Sequence, residues 1–388
     1  MGQKGLAQAM TRVLIADDNA IFREVLKRHV TSLFDFTVTE AQNGLEAVEK
    51  AEAEHPDMIL LDLAMPGIDG IEAVRRIRAV PALADVPIIL LSAETDRCLW
   101  AEALTAGAND FMPKPYHRQE LGARISLHLK LASLGRELRQ QNDLLNRERY
   151  LAGCVQRQLL PKDLNFEGLE SAAVYQAQEQ VGGDFYEAWD DGAAVNVLMA
   201  DISGHGASAA MLMAVCKGYI VSLRQSGLAP EEIVGALNAM LCDLLLGGDL
   251  DMFVTLVLCR IDRSLPILSV VSAGHVPAYV VGREGLLELP SQGPALGILP
   301  RFDWTARTVP FLPGDTLFLY TDGLTELRSP DGEFFGEARV LGLLRPGIAP
   351  KDLIGEIIET ALPFCKGALH DDLAMAALRR QNPPAQQP

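Results

Sequence analysis

The sequence predicts two folded domains, a doubly wound α/β domain followed by an α+β domain, joined by a helix. The chain has 388 residues, which is too long for one ordinary hydrophobic core. Hydrophobic residues make up 49% and charged residues 22% of the chain, as is typical of a well-folded protein. The pattern of apolar runs then changes twice along the chain, and these changes divide it.

The first part, residues 11–128, alternates short apolar runs with segments of helical spacing. Runs that are apolar on both faces and separated by amphipathic helices are typical of a doubly wound parallel sheet. We therefore predict a five-stranded parallel sheet from the runs RVLIADD, DFTVTEA, PDMILLDL, VPIILLSA and NDFMPKP.

The second part, residues 129–158, is predicted to be a helical linker. Helical spacing continues from Leu121 to about Gln158 without a proline, and leucines recur in alternating steps of four and three residues. Such a heptad pattern favours a parallel coiled-coil homodimer. The alternative is a single amphipathic helix packed on its own domain. The leucine stripe consists of Leu127, Leu131, Leu134, Leu138 and Leu145, with Gln141 at its one polar position.

The third part, residues 159–379, is rich in β-type runs, interrupted by two helical stretches at 207–225 and 230–246. Mixed strands with segregated helices predict an α+β layered fold. Residues 380–388, which contain RQNPPAQQP, are predicted to be a disordered tail from their composition.

Charge and cysteine content exclude several classes of protein. The net charge of −17 argues against nucleic-acid binding and against docking on an anionic membrane. No apolar run approaches the roughly 20 residues that span a bilayer, and the N-terminus lacks a secretory signal. The six cysteines are scattered without a Cys-x-x-Cys pair, as expected of buried free thiols. We therefore expect a cytoplasmic protein.

A first group of polar residues follows the predicted strands of the N-terminal domain. Asp17 and Asp18 end the first strand, Asp62 the third and Ser92 the fourth, while Lys114 follows the fifth. The carboxyl ends of the strands form the ligand crevice of doubly wound sheets. Three carboxylates at that edge repel one another unless a hard cation such as Mg²⁺ lies between them.

This pattern, with the DLAMPGIDG segment and the Lys-Pro of PKP, resembles the receiver domain of bacterial response regulators. The resemblance implies that Asp62 accepts a phosphoryl group from a sensor histidine kinase, with Asp17 and Asp18 helping to hold Mg²⁺. Ser92 and Lys114 would sense the phosphoryl group, and Phe111 would take the aromatic switch position. The alternative is a receiver-like fold with an inactive pocket.

A second group of aspartates lies in turns of the C-terminal domain. Asp184 occurs in VGGDFYEA, Asp201 in ADISGHG, Asp322 in YTDGLTE and Asp371 in HDDLAMAAL. Each alone is a common turn feature. Together they suit a centre of two hard divalent ions that activates a water for attack on phosphorus.

The segment from about residue 150 to 379 resembles the PPM-type serine/threonine phosphatases of the SpoIIE/RsbU group. The resemblance rests on VQRQLLP, VGGDFYEA, ADISGHGASAAMLM, SAGHVPAYV, QGPALGI, PGDTLFLYTDGLTE and the closing Asp-Asp. It implies a β-sandwich flanked by helices and a site with two or more Mn²⁺ or Mg²⁺ ions. It also implies a phosphorylated antagonist of an anti-sigma factor as substrate. The implied metal ligands are Asp184, Asp201, the backbone carbonyl of Ile202, Asp322 and Asp371.

Several alternatives stay open at the level of sequence. VGGDFYEAW also resembles the Gly-Gly-Asp-Glu-Phe turn of dinucleotide cyclases, but Phe185-Tyr186 stands where that turn needs Glu-Phe. Glu187 occupies a position where the phosphatase family usually has aspartate. His205 and His275 are interpreted as loop-holding residues, with a catalytic acid role as the alternative. A catalytically weak adaptor that binds a regulatory partner is the alternative function.

Overall fold

The computed structural model describes residues 11–93, 97–161, 164–204, 206–245 and 251–382. Two of the sequence predictions, the role of His205 and disorder at residues 383–388 of the predicted tail 380–388, lie outside these residues. The prediction was wrong at the start of that tail, because Arg380 belongs to the last strand and pairs with Leu169. The chain divides into two compact units, and the boundary along the sequence falls between Leu144 and Leu145. The domain boundaries at 128 and 158 stay predictions.

The first unit is built around a parallel five-stranded sheet in the order β2-β1-β3-β4-β5. This confirms the doubly wound fold and all five predicted strands. The strands are β1 (Arg12–Ala16), β2 (Thr37–Ala41), β3 (Met58–Asp62), β4 (Ile88–Ser92) and β5 (Asp110–Pro113). The helices are α1 (Ala20–Leu33), α2 (Gly44–Glu54), α3 (Gly70–Ala79) and α4 (Arg97–Thr105).

Local sequence explains how these elements begin and where they pack. The side chain of Asn19 accepts hydrogen bonds from two backbone N–H groups in the first turn of α1, and Asp69 caps α3 in the same way. Every residue of β3 and β4 is buried, because helices cover both faces of the sheet. The polar residues at the strand ends therefore collect at one edge of a rigid sheet.

The linker forms one helix, α5 (Arg118–Leu159), of 42 residues. Near its start, Arg124 Nη1 lies 2.8 and 2.7 Å from the two carboxylate oxygens of Asp110, which anchors the helix on β5. The side chains of the leucine stripe are between 52% and 60% exposed, so the stripe is not buried against its own unit. Among the described helices, none is both long enough and apolar enough to cross a membrane.

The second unit contains two five-stranded sheets, ordered β13-β10-β9-β8-β7 and β12-β11-β14-β15-β6. Its strands are β6 (Leu169–Gln176), β7 (Phe185–Asp190), β8 (Ala194–Ile202), β9 (Val254–Asp262), β10 (Ile267–Ala273), β11 (Ala278–Gly282), β12 (Gly285–Leu289), β13 (Arg307–Pro310), β14 (Thr316–Tyr320) and β15 (Leu373–Arg380). Its helices are α6 (Ala207–Leu223), α7 (Pro230–Leu245), α8 (Gly336–Leu343) and α9 (Pro350–Phe364).

Three apolar cores hold these layers together, since alternate residues of each strand face opposite sides. One core lies between the two sheets and contains Val197, Val257 and Leu317. A second lies between the β7–β10 sheet and helices α6 and α7, and a third between the other sheet and helices α8 and α9. The arrangement is a β-sandwich flanked by helices, as the family resemblance implied.

Candidate functional site

The first acidic centre lies at the carboxyl edge of the parallel sheet. Asp17, Asp18 and Asp62 each offer a carboxylate oxygen, and these oxygens lie within 4.8 Å of one another. Asp17 and Asp62 are buried, whereas Asp18 is exposed. The three residues predicted to hold Mg²⁺ are therefore brought together, with the donor set that this ion prefers.

Lys114 supplies a positive charge within this centre. Its Nζ lies 2.6 Å from Asp17 Oδ2 and 2.5 Å from Asp62 Oδ1. Burial raises the pKa of Asp62 above its usual value, and the ammonium of Lys114 acts in the opposite direction. The lysine thus compensates two buried carboxylates and lies next to the carboxylate predicted to accept the phosphoryl group.

The other predicted receiver residues, Ser92 and Phe111, lie on the neighbouring strands β4 and β5. Ser92 is buried at the end of β4, and its backbone carbonyl accepts a hydrogen bond from Lys114 N at 2.7 Å. Phe111 is on β5 and 8% exposed, and its ring lies 4.7 Å from that of Trp100 on α4. Ser92 is therefore adjacent to Lys114 in the sheet, and the roles of Ser92 and Phe111 in sensing stay predictions.

The second acidic centre draws on one antiparallel strand pair from each sheet of the sandwich. In the first pair, Phe185 faces Ala200, so Asp184, just before β7, lies beside Asp201 near the end of β8. In the second pair, Asp322 follows β14 and Asp371 precedes β15. All four predicted aspartates therefore lie at strand ends.

The charges of these aspartates interact unfavourably. Burial, followed by repulsion from Asp201, raises the pKa of Asp184 well above its ordinary value. Burial and then repulsion from Asp322 raise the pKa of Asp201 to about 7. Burial and then repulsion from Asp371 raise the pKa of Asp322 to about 6. Among the described residues, no lysine, arginine or histidine forms an ion pair with any of the four.

These residues fit divalent cations. Asp184 is 3% exposed, and its Oδ2 is buried with no hydrogen-bond partner in the described part of the chain. A buried anionic oxygen without a partner is costly unless a cation or proton satisfies it. The carbonyl oxygen of Ile202 also approaches this turn, 2.8 Å from where a Cβ on Gly183 would lie. The oxygen donors predicted for the metals are thus close to one another.

The two centres differ in spacing. Within the described residues, the receiver triad is the only set of three potential metal ligands whose donor atoms lie within 4.8 Å of one another. The aspartates of the second centre are spread more widely than that. The second centre therefore holds its carboxylates in a looser arrangement than the receiver triad.

Asp372 has a structural function that the sequence did not indicate. It is 6% exposed, and its carboxylate accepts hydrogen bonds from Gln178 N at 2.8 Å and Gly183 N at 2.5 Å. A Cβ on Gly182 would lie 2.1 Å from Asp372 Oδ2, so only glycine fits this close approach. Asp372 therefore holds the turn that carries Asp184, while the side chain of its neighbour Asp371 is exposed.

His275 is a loop-holding residue in this structure. Its ring nitrogens lie 2.8 Å from Thr255 Oγ1 and 3.1 Å from the carbonyl oxygen of Tyr320. The side chain is buried, and burial lowers the pKa of His275 to about 4. The imidazole is therefore neutral near pH 7, which agrees with the interpretation preferred from the sequence.

Glu187 also has partners that explain its burial. It is 2% exposed, forms an ion pair with Lys217 and lies 2.6 Å from Arg224 Nη2. Lys217 lies within α6, and Arg224 follows its last residue. Glu187 thus fastens that helix to β7 and makes no contact with the four aspartates in the contacts described.

Comparison with known proteins assigns both domains to families. Residues 13–126 match the response regulator receiver domain family, and residues 191–381 match the family of Stage II sporulation protein E (SpoIIE). The SpoIIE match begins after the turn that carries Asp184 and includes Asp201, Asp322 and Asp371.

Two relatives and one solved structure extend the comparison. The chain is 32% identical to Protein IcfG of Synechocystis sp. over 257 residues, covering 58% of this chain and 40% of IcfG. It is 27% identical to phosphoserine phosphatase RsbU of Bacillus subtilis over 265 residues, covering 67% of this chain and 76% of RsbU. The SiaA-PP2C domain of Pseudomonas aeruginosa shares the fold, with a TM-score of 0.56 and 21% identity over 62% of this chain and 98% of that domain.

The parallel sheet with its Asp-Asp-Asp-Lys centre and the helix-flanked sandwich with its strand-end aspartates agree with these matches. The chain spans less than half the length of IcfG, whereas it spans about three quarters of RsbU. Its N-terminal domain belongs to the response regulator receiver family, and its C-terminal domain belongs to the SpoIIE family and shares the fold of the SiaA-PP2C domain.

Proposed function

We propose that this chain is a response regulator in which phosphorylation of Asp62 controls a metal-dependent phosphoserine/phosphothreonine protein phosphatase. The observation that carries the proposal is the second acidic centre. Two strand pairs deliver Asp184, Asp201, Asp322 and Asp371 to strand ends, where their charges repel one another and one buried oxygen lacks a partner. Such a centre suits divalent cations.

In this proposal Asp184, Asp201, Asp322, Asp371 and the carbonyl oxygen of Ile202 hold two or more Mn²⁺ or Mg²⁺ ions. When bound, such ions lower the pKa of a coordinated water and neutralise phosphoryl oxygens. The carboxylates keep the ions in place, and Thr321 and Asp372 hold the turns that carry them. His275 is deeply buried and its pKa is lowered to about 4, so it is not proposed as the proton donor.

The proposed substrate class follows from the relative named a phosphoserine phosphatase. We propose a phosphoserine or phosphothreonine on an antagonist of an anti-sigma factor, in a cytoplasmic partner-switching pathway. Because the N-terminal domain belongs to the receiver family, we propose a sensor histidine kinase as the donor of its phosphoryl group. Asp62, with Lys114 beside it, is the phosphoacceptor, and Asp17 and Asp18 hold Mg²⁺ with it.

Control would pass through helix α5. A phosphoryl group adds a charge of about −1.5 to −2 next to Lys114 and Ser92. We propose that this changes the pairing of α5 in a homodimer, since its leucine stripe is exposed. The effect on the C-terminal centre is a shift in population between two states.

Phosphate release tests the enzymatic proposal. The full chain is incubated with Mn²⁺ and a phosphorylated antagonist, with and without an acyl-phosphate mimic bound to the receiver. We expect release from the wild type and a loss of at least about a hundredfold in Asp201→Ala and Asp322→Ala, because residues that only orient metal ligands already contribute about 10–100-fold and these two would hold the ions themselves. Equal release from these variants would contradict the proposal.

The regulatory part has its own control. An Asp62→Ala variant should keep basal phosphate release and lose the response to the mimic, because the mimic has no site. A response like that of the wild type would refute control through Asp62.

The second candidate function is an adaptor that binds a regulatory partner without hydrolysing phosphate. The absence of a cation paired with the four aspartates in the described residues argues for a bound metal and against this alternative. Partner binding with no phosphate release at saturating Mn²⁺ would favour the adaptor.

The dimer is tested on the leucine stripe. Light scattering of the full chain at micromolar concentration should give a dimer, and Leu131→Glu with Leu138→Glu should give a monomer, since charges replace exposed apolar contacts. Glutamates at the polar positions Gln140 and Asn146 are the control. A wild-type monomer in both phosphorylation states would remove the coiled-coil part of the proposal.

A further inference from the structure

Gln156, near the end of α5, is a buried amide with both of its polar atoms engaged by a single backbone unit. The side chain is 5% exposed. Its Oε1 accepts a hydrogen bond from Gly182 N at 3.0 Å, and its Nε2 donates one to the carbonyl oxygen of Gly182. The amide thus pairs with the N–H and C=O of one glycine, which fixes the orientation of the chain at that point.

Two further contacts on the same face of α5 hold it on this loop. A Cβ on Gly153 would lie 1.9 Å from the carbonyl oxygen of Gln180, so helix and loop meet at backbone distance. Arg149 Nη1 lies 3.5 Å from a carboxylate oxygen of Glu179 at the exposed rim. Residues 149, 153 and 156 are spaced by four and three positions and therefore share one face of the helix.

Asp372 holds the same turn through separate hydrogen bonds. Its carboxylate accepts hydrogen bonds from Gln178 N and Gly183 N, and it leaves no room for a Cβ on Gly182. The turn is therefore held both by Gln156 on α5 and by Asp372, the residue before β15. Asp184, with its unpartnered Oδ2, lies two residues beyond Gly182.

We propose that Gln156 is a positioning residue that sets the metal affinity of the C-terminal centre by fixing Gly182 and, through it, Asp184. The inference rests on the metal centre of the proposed function and adds the residue by which α5 acts on it. Groups that orient metal ligands without touching the ion typically change metal affinity by 10–100-fold. Movement of the last turns of α5 then loosens the Asp184 turn and weakens metal binding.

The test compares two leucine substitutions on one helix. Gln156→Leu removes both hydrogen bonds at similar volume, whereas Gln158→Leu makes the same chemical change at an exposed position two residues on. Mn²⁺ binding to the full chain is measured by calorimetry. The receiver centre is also proposed to bind divalent ions. The binding heat that is lost in Asp201→Ala is therefore assigned to the C-terminal centre.

We expect Gln156→Leu to bind Mn²⁺ in that centre about 10–100-fold more weakly than the wild type, and Gln158→Leu to match the wild type. Phosphate release by Gln156→Leu should recover at saturating Mn²⁺, because the ligands themselves are intact. Thermal unfolding in chelator separates this effect from general destabilisation, which does not depend on Mn²⁺.

Gln156→Glu covers the case in which the leucine variant does not fold. It keeps size and polarity and can still accept from Gly182 N, but it places a carboxylate against the carbonyl oxygen of Gly182. It should also weaken Mn²⁺ binding. Wild-type affinity in both Gln156 variants would overturn the inference alone, whereas a wild type that binds no Mn²⁺ in this centre would overturn the proposed function with it.

Discussion

The two acidic centres of this chain balance their charge in different ways. In the receiver, Lys114 Nζ lies within 2.6 Å of both Asp17 and Asp62, so two of three carboxylates have a cation built into the fold. In the phosphatase domain, burial and then repulsion from a neighbouring aspartate raise the pKa values of Asp184, Asp201 and Asp322, and the described residues offer them no ion pair.

This difference indicates how each centre depends on ions from solution. The receiver centre can be occupied or vacated by Mg²⁺ with a modest change in local electrostatics, as suits a site that also gains and loses a phosphoryl group. The phosphatase centre is strained by repulsion until cations enter it. Substitutions that neutralise one charge should therefore have opposite effects on stability in the two domains.

The largest effect is expected for Asp201→Asn. In chelator at pH 8 the carboxylate of Asp201 is ionised, although burial and then repulsion from Asp322 raise its pKa to about 7, and this costs stability. A rise of about three units corresponds to roughly 4 kcal/mol as an upper figure. The variant should thus be more stable than the wild type in chelator and should lose most of the stabilisation by Mn²⁺. Chemical denaturation with and without Mn²⁺ measures both.

The exposed Asp243 on α7 provides the matched control, since Asp243→Asn changes the net charge equally without relieving a buried cluster. It should leave stability within about 0.5 kcal/mol of the wild type. A metal-free Asp201→Asn protein that is less stable than the wild type would remove the contrast between the two centres.

The second effect, in the opposite direction, is expected for Lys114→Met in the receiver. The substitution leaves Asp17 and Asp62 buried without their cation, and breaking a buried ion pair in this way typically costs about 3–5 kcal/mol. Since Asp18 is exposed and water reaches the site, we expect the lower end, about 3 kcal/mol. Hydrogen exchange of receiver peptides in denaturant measures it.

Mg²⁺ should restore part of that loss, because a divalent ion can take over the charge compensation of the lysine. Lys130→Met on the exposed part of α5 is the control and should change stability little. An unaltered receiver in Lys114→Met would mean that these carboxylates do not need the lysine.

The receiver centre was more predictable from sequence than the phosphatase centre, for a physical reason. Its polar residues all follow strands of one parallel sheet, so local strand patterns suffice to collect Asp17, Asp62 and Lys114 at one edge. The pairing of Asp184 with Asp201 depends instead on the register between β7 and β8. That register is set by tertiary packing and not by a local pattern.

Other features of the phosphatase domain depend on contacts between distant segments. In the sequence Asp371 and Asp372 are an adjacent pair with no visible difference. Only the fold shows that Asp371 is exposed, whereas Asp372 is buried and accepts a hydrogen bond from Gly183 N. The role of Glu187 could not be predicted from sequence, because its partners Lys217 and Arg224 lie in and just after α6, far along the chain from β7. Gln156 looked like an ordinary helix residue, although the VQRQLLP segment had pointed to the family.

The smallest effect concerns His275, a buried histidine whose ring contacts the carbonyl oxygen of Tyr320, two residues before Asp322. A protonated histidine there would resemble Lys114 in supplying a cation, but burial lowers the pKa of His275 to about 4. Because the unfolded state binds a proton near pH 6.5 and the folded state does not, stability falls as the pH drops from 6.5 toward 4. This component amounts to up to about 2 kcal/mol by pH 5.

In His275→Asn this pH-dependent loss should be absent. The variant should therefore lose less stability than the wild type between pH 7.5 and pH 5, whatever its stability at pH 7.5. Denaturant titrations at the two pH values, with the exposed His117→Asn as control, measure the difference. If His275→Asn and wild type lost equal stability on acidification, His275 would carry a proton in the folded domain, and the phosphatase centre would have a cation of its own after all.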